Sequence, residues 1–156
     1  MEWKLRAAEL FDLSRSIAAP LFGAGSVYPW EKLKEISAFI LELGKMLPEE
    51  KFDHPAEDVW VAKSAKIAPT AYLGGPLIID ENAEIRHCAF LRGSAIVGKG
   101  ATVGNSTELK NCILFDGAQA PHYNYVGDSI LGYKAHMGAG AITSNFRSDH
   151  GNVTLH

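Results

Sequence analysis

"VAKSAKIAPTAYLGGPLIIDENAEIRHCAFLRGSAIVGKGATVGNSTEL", residues 61–109, obeys a six-residue rule. An aliphatic side chain returns at Val61, Ile67, Leu73, Ile79, Ile85, Leu91, Val97, Val103 and Leu109, nine times without exception. Four positions after each stand Ala65, Ala71, Leu77, Ala83, Ala89, Ala95, Ala101, Thr107 and Ile113, seven of the nine being small. Neither the 3.6-residue period of a helix nor the two-residue period of a strand fits this pattern. Hexapeptide repeats of this kind mark a parallel β-helix. Each hexad makes one flat side, three hexads make a triangular coil, the aliphatic residue points inward and the small residue fits the corner.

A coil of three hexads stacks residues that lie 18 apart, about 4.8 Å from rung to rung. The inward columns are then Val61/Ile79/Val97, Ile67/Ile85/Val103 and Leu73/Leu91/Leu109, all aliphatic, as a dry solenoid core requires. The next inward residue is Leu114, one position short; Ala120 and Val126 follow, and a second slip leads to Leu131, Met137 and Thr143. Ala118, Ala135 and Ala141 carry the small positions of the shifted register. The stretch "APHYNYVGDS", residues 120–129, lies between the two slips, where the coil is expected to depart from its ideal shape.

The first ~50 residues read differently, as helix. Pro29 can open a helix at its first turn; Leu33, Ile36, Phe39, Ile40 and Leu43 make one apolar face, and Gly44 and Pro48 close it. A shorter helix is expected over Leu5 to Ser14, and "LPEEKFDHPAEDV" as a polar connector. The domain plan is a helical segment and linker over 1–57, packed on the first coils, a β-helix over 58–146 and a polar tail over 147–156.

Composition bounds the function. The net charge of −3 gives no basic excess for nucleic acid, and no apolar run reaches membrane-spanning length. The amphipathic start "MEWKLRAAELFDLS" carries acidic residues, unlike a signal peptide. A cytoplasmic protein with Cys88 and Cys112 as unpaired thiols is expected.

The stacking map gathers chemistry at one place. Arg92 follows inward Leu91 and Lys110 follows inward Leu109, a two-rung basic ladder. Two like charges that close repel unless they share an anion, for which phosphate and the arginine fork suit; two solvated cations are the plain alternative. Phe90, Glu108 and Tyr125 form the neighbouring column, and His122 stands over Asn105 and His87. Asn145 and Phe146 follow Thr143 on the coil above. A histidine here is either structural or a general base, a task its ordinary pKa suits. A metal site built on His87 and His122 lacks a third ligand, so no metal is expected.

With "VGNSTELKN" and "HYNYVGDS" as its specific parts, the run Arg92 to Phe146 resembles the acetyltransferase half of the bifunctional N-acetylglucosamine-1-phosphate uridyltransferase/glucosamine-1-phosphate acetyltransferase. The whole chain resembles the stand-alone bacterial UDP-N-acetylglucosamine pyrophosphorylase-related proteins. The resemblance implies a mostly β fold, a left-handed parallel β-helix after a short helical segment. It implies His122 as the catalytic base, and Arg92 and Lys110 as phosphate holders. Tyr125 and Asn145 are implied as acceptor-binding residues, with Glu108 and His136 beside them. It places acetyl-coenzyme A as co-substrate near a backbone N–H of the "MGAGA" turn centred on Ala139, and a homotrimer with sites between subunits. His136 stands where the family has an asparagine, and Phe146 where it has a tyrosine. No glycine-rich phosphate loop precedes residue 50, so a nucleotidyltransferase is not expected.

The expected activity is acetyl-coenzyme A-dependent N-acetylation of a phosphorylated or nucleotide-linked amino sugar resembling glucosamine 1-phosphate. The alternative is a non-catalytic sugar-nucleotide-binding or assembly module. Ten residues after Phe146 cannot complete a coil, which reads as a chain cut before its last coils.

Overall fold

The computed structural model describes residues 5–144 and 146–151. From Val59 the chain winds as a parallel β-solenoid with three faces. The first face stacks Val59–Ala62, Leu77–Ile79 and Ala95–Val97, then the later halves of Glu108–Leu114 and Tyr125–Leu131. The second stacks Lys66–Ile67, Glu84–Ile85, Thr102–Asn105 and Gln119–His122. The third stacks Tyr72–Leu73, Phe90–Leu91, the starts of Glu108–Leu114 and Tyr125–Leu131, and Ile142–Thr143. The inward columns are the expected ones: Ile79, Ile85, Leu91, Val97, Val103, Leu109, Leu114, Ala120 and Val126 are all buried in one core.

The slips have a definite place. Leu109 pairs with Leu91, 18 positions back, but Cys112 pairs with Ala95, 17 back. The missing residue is lost at the corner between the third and first faces, where Asn111 and then Asp128 take positive φ (51° and 46°). Each coil from there on holds 17 residues, and Glu108–Leu114 and Tyr125–Leu131 run unbroken round the shortened corner. This corrects two expectations. The inward residue is Cys112, whereas Ile113 pairs with Ile96 and faces away from the solenoid core. The corner at Tyr123 (φ 49°) also keeps the size of the corners at Cys88 and Ser106, so "HYNY" is not distorted by the slips.

The first face is apolar on both sides. Trp60, Ile78, Ile96 and Ile113 point outward and are nevertheless buried, because the N-terminal segment covers them. That segment was expected as two helices on the first coils. It is instead a short helix Ala7–Leu10, 3₁₀ turns at Leu13–Arg15 and Ala19–Phe22, a 3₁₀ run Pro29–Glu35 and a helix Ile36–Gly44. It lies along the whole face, reaching Phe115 through Phe11 and Phe22 at centroid distances of 5.3 and 6.3 Å. In the last helix Ile36, Ile40 and Gly44 are buried, one residue per turn. Gly44 has to be glycine: a Cβ would sit 2.4 Å from the Trp60 ring.

The connector also holds a strand. Phe52–Ala56 pairs antiparallel with Val59–Ala62 and closes the edge that the first coil would otherwise expose. Pro55 is tolerated because this strand is itself an edge.

Two buried groups carry charge consequences. Burial pushes the Cys112 thiol up to about 12, so it stays protonated and inert, while Cys88 is exposed. Asp80 is 1% exposed; one carboxylate oxygen accepts from Glu81 N–H at 2.7 Å, and the other has no partner among the described residues. Desolvation raises its pKa, with Lys99 opposing. The folded state therefore holds this proton more tightly than the unfolded chain. The penalty is absent at low pH, where both states are protonated, and appears as pH rises through the unfolded value. Asp80→Asn is accordingly expected to raise the melting temperature by a few degrees at pH 7, with the gain shrinking towards pH 4. An equal gain at both pH values would assign it to something other than this charge.

Candidate functional site

The third face is not covered by the N-terminal segment, and its outward side chains include the candidate residues Arg92, Glu108, Lys110 and Tyr125. Arg92 donates to Glu108 at 2.7 Å across one rung. Lys110 donates to Asp128 at 3.1 and 3.3 Å, and Asn111 Nδ2 donates to the same carboxylate at 2.8 Å. The two cations are thus stacked as expected but are not a naked pair, since each has its own carboxylate. The hydrogen bond to Glu108 raises the Arg92 pKa further, and Tyr125 adds to the field around it.

Tyr125 pairs with Glu108 on the next rung. A Cβ on Gly127 would lie 2.4 Å from the Tyr125 hydroxyl, so the phenol lies along its own strand over Gly127. Gly127 is the residue in register with Lys110. Phenol, guanidinium, ammonium and carboxylate therefore share one surface.

His122 ends the second face. It pairs with Asn105, its side chain is exposed, and no side chain among the described residues hydrogen-bonds its ring. Only Tyr123 and Asn124 separate it from Tyr125, so the two residues flank one corner, with the phenol directed along its strand towards Gly127. His136 lies farther off, on the next coil opposite Gln119, with Nδ1 at 3.0 Å from its Oε1. Ala139 stacks one coil beyond His122, whose carbonyl accepts from Gly140 N–H at 3.0 Å. In the turn Met137–Ala141 the N–H groups of Met137, Gly140 and Ala141 donate to Gln119, His122 and Gly138 carbonyls. Those of Gly138 and Ala139 make no hydrogen bond among the described residues. Asn145 lies outside the described residues.

Asn124 was not foreseen, and it holds the corner together. It occupies the inward corner position where other coils carry Ala89, Thr107 and Ala141, and it is 3% exposed. Its Oδ1 accepts from His122 N–H at 3.0 Å, and its Nδ2 donates to the Gly138 and Ala141 carbonyls at 2.8 and 3.2 Å. Its own N–H donates to Thr107 Oγ1 at 3.2 Å. The signal was in the sequence as the one amide in a column of alanine and threonine. Asn124→Ala should cost about 1–3 kcal/mol, the usual penalty for leaving buried polar partners unmatched. Chemical denaturation would read this as a lower midpoint at unchanged slope; an unchanged midpoint would show that the amide ties nothing.

No group of three histidine, cysteine, aspartate or glutamate side chains among the described residues is placed to hold a metal ion. No helix among them is long and apolar enough to cross a membrane.

Fold and surface together define a hexapeptide-repeat β-solenoid with a polar, partly charged corner on its uncovered side. The family model "GMPPB C-terminal domain" matches residues 73–148. The chain is similar to proteins named bifunctional protein GlmU. With that of Thermodesulfovibrio yellowstonii it shares 35% identity over 95 residues, 50% of this chain and 21% of the relative. With that of Jannaschia sp. it shares 29% over 126 residues, 70% of this chain and 28% of the relative. With that of Azotobacter vinelandii it shares 48% over 58 residues, 37% of this chain and 13% of the relative. The chain therefore spans under a third of the length of these relatives. Among solved structures, the acetyltransferase domain of PglB from Neisseria gonorrhoeae superposes with a TM-score of 0.55 at 21% identity. That match covers 75% of this chain and 53% of that one, and it supports the fold.

Proposed function

We propose that the chain is an acyltransferase that moves an acetyl group from acetyl-coenzyme A to the amine of a phosphorylated or nucleotide-linked amino sugar. The observation that carries this is His122, exposed at the end of its strand and one corner from Tyr125, on a scaffold similar to GlmU. His122 takes the proton as the amine attacks the thioester carbon. The tetrahedral oxyanion receives the N–H of Ala139, one coil from His122, and collapse expels the coenzyme A thiolate, which is protonated as the free thiol. Arg92 and Lys110 exchange their carboxylate partners for the phosphate, and Tyr125 and Glu108 border the sugar. Asn145 and His136 complete the acceptor side in this reading. The protein works in the cytoplasm as a homotrimer.

The deciding experiment is coenzyme A thiol release against a panel of amino-sugar phosphates and nucleotide-linked amino sugars. Release with none of them, alongside measurable binding of sugar nucleotide, would favour the non-catalytic module. The phosphate assignment has its own test. Lys110→Gln should weaken a sugar phosphate about tenfold, on the scale of hydrogen bonds to charged groups, and leave the bare sugar unaffected. Equal losses for both ligands would detach the ladder from phosphate.

A further inference from the structure

We infer that the cleft between Trp30 and the Asn111–Asp128 corner is a nucleobase-and-ribose subsite. The acceptor is then a nucleoside diphosphate sugar rather than a simple sugar phosphate. The inference rests on the phosphate ladder of the reading above, but its test needs no turnover.

The 3₁₀ run Pro29–Glu35 stands beside that corner and leaves a cleft of about 570 Å³, a volume in the range of small-ligand sites. Trp30 lines it and is 45% exposed. One face of its ring is stacked on Tyr28 at 4.8 Å and 11°, and the Arg6 guanidinium lies 5.3 Å from the Tyr28 centroid. The tryptophan is thus held in place before any ligand arrives, so a flat ring can stack on it with little ordering cost.

The cleft does not suit an anion. Glu31, Glu35 and Asp128 line it against Lys32 and Lys34, three carboxylates against two ammoniums. It favours the uncharged, hydrogen-donating part of a ligand, such as ribose hydroxyls and base N–H groups. Asp128 connects it to the anion ladder, because the same carboxylate accepts from Asn111 on the cleft side and from Lys110 on the ladder side. Across the surface the order is therefore aromatic ring, carboxylate, two cations, phenol, imidazole. A nucleoside diphosphate amino sugar presents base, ribose, two phosphates, sugar and amine in that same order. A sugar 1-phosphate would leave the ring and the cleft unused.

Calorimetric titration of the full chain with UDP, GDP and inorganic pyrophosphate at one ionic strength tests this. At least one nucleoside diphosphate should bind about tenfold or more tightly than pyrophosphate, the scale of base–aromatic stacking. Trp30→Ala should remove that difference without changing pyrophosphate affinity or the melting temperature, and Trp30→Phe should retain most of it. Equal affinities in the wild type, or a preference that survives Trp30→Ala, would overturn the subsite. If the preference is found but no acceptor releases coenzyme A, the subsite stands and the acyl-transfer reading falls. Turnover of sugar 1-phosphates without any nucleotide preference reverses that outcome.

Discussion

His122→Ala is expected to lower acyl transfer by about 10²–10⁴-fold, the range for losing a general base, with the melting temperature unchanged. Both halves follow from placement. The ring is exposed and makes no side-chain hydrogen bond among the described residues, so removing it leaves no cavity and no orphaned partner. The parts of residue 122 that the fold uses are backbone: its N–H donates to Asn124 Oδ1 and its carbonyl accepts from Gly140 N–H, and alanine keeps both. Initial rates of thiol release and a thermal melt on the same preparation read the two quantities separately. Full turnover would reduce His122 to a surface residue. A large fall in stability would mean the ring packs where the structure shows solvent. Asn124→Ala is the informative contrast, because it should lower stability as well as rate.

The solenoid was legible because each hexad states its own inward residue, and neighbouring coils repeat the statement. The same columns placed Glu108 against Phe90 and Tyr125, and His122 against Asn105. What lay outside the repeat was less visible. Apolar spacing at three and four residues fits a 3₁₀ run as well as an α-helix, so Pro29–Glu35 could not be told from the helix that follows it. His54 and Pro55 hid an edge strand. The cover over the first face had a signal that the inward columns did not contain. The outward column Trp60, Ile78, Ile96 and Ile113 is apolar, whereas Phe90 alternates with Glu108 on the third face. A face apolar on both sides needs a second layer. The carboxylate partners of Arg92 and Lys110 lie 16 and 18 positions away, and side-chain direction chose them rather than sequence spacing.

Gly104→Ala should be the most damaging single methyl in the chain's functional half, because it strikes the strand that carries His122. Val103 pairs with Ala120 and Asn105 with His122, which sets Gly104 beneath Pro121. A Cβ there would lie 1.6 Å from the Pro121 carbonyl oxygen and 1.9 Å from its carbon. Both atoms are backbone, so no rotamer change can relieve the overlap; the strands must part. Parting them strains the bonds that fix the corner, Tyr123 N–H to the Asn105 carbonyl at 2.9 Å and Thr107 Oγ1 to the Ala120 carbonyl at 3.2 Å. A cost of about 3 kcal/mol, the upper end for overpacking, corresponds to a melting temperature lower by about 6–12 °C in a chain of this size. Activity should fall about 10²-fold even where the variant is folded, since a displacement on the order of 1 Å at a catalytic group has that effect. Gly138→Ala is the matched control. It lies two coils farther on, on the far side of Pro121, its added methyl would meet nothing within 4 Å, and its stability should stay within about 0.5 kcal/mol of the wild type. If Gly104→Ala instead melts with the wild type, the register of the second face is wrong, and the placement of His122 one corner from Tyr125 fails with it.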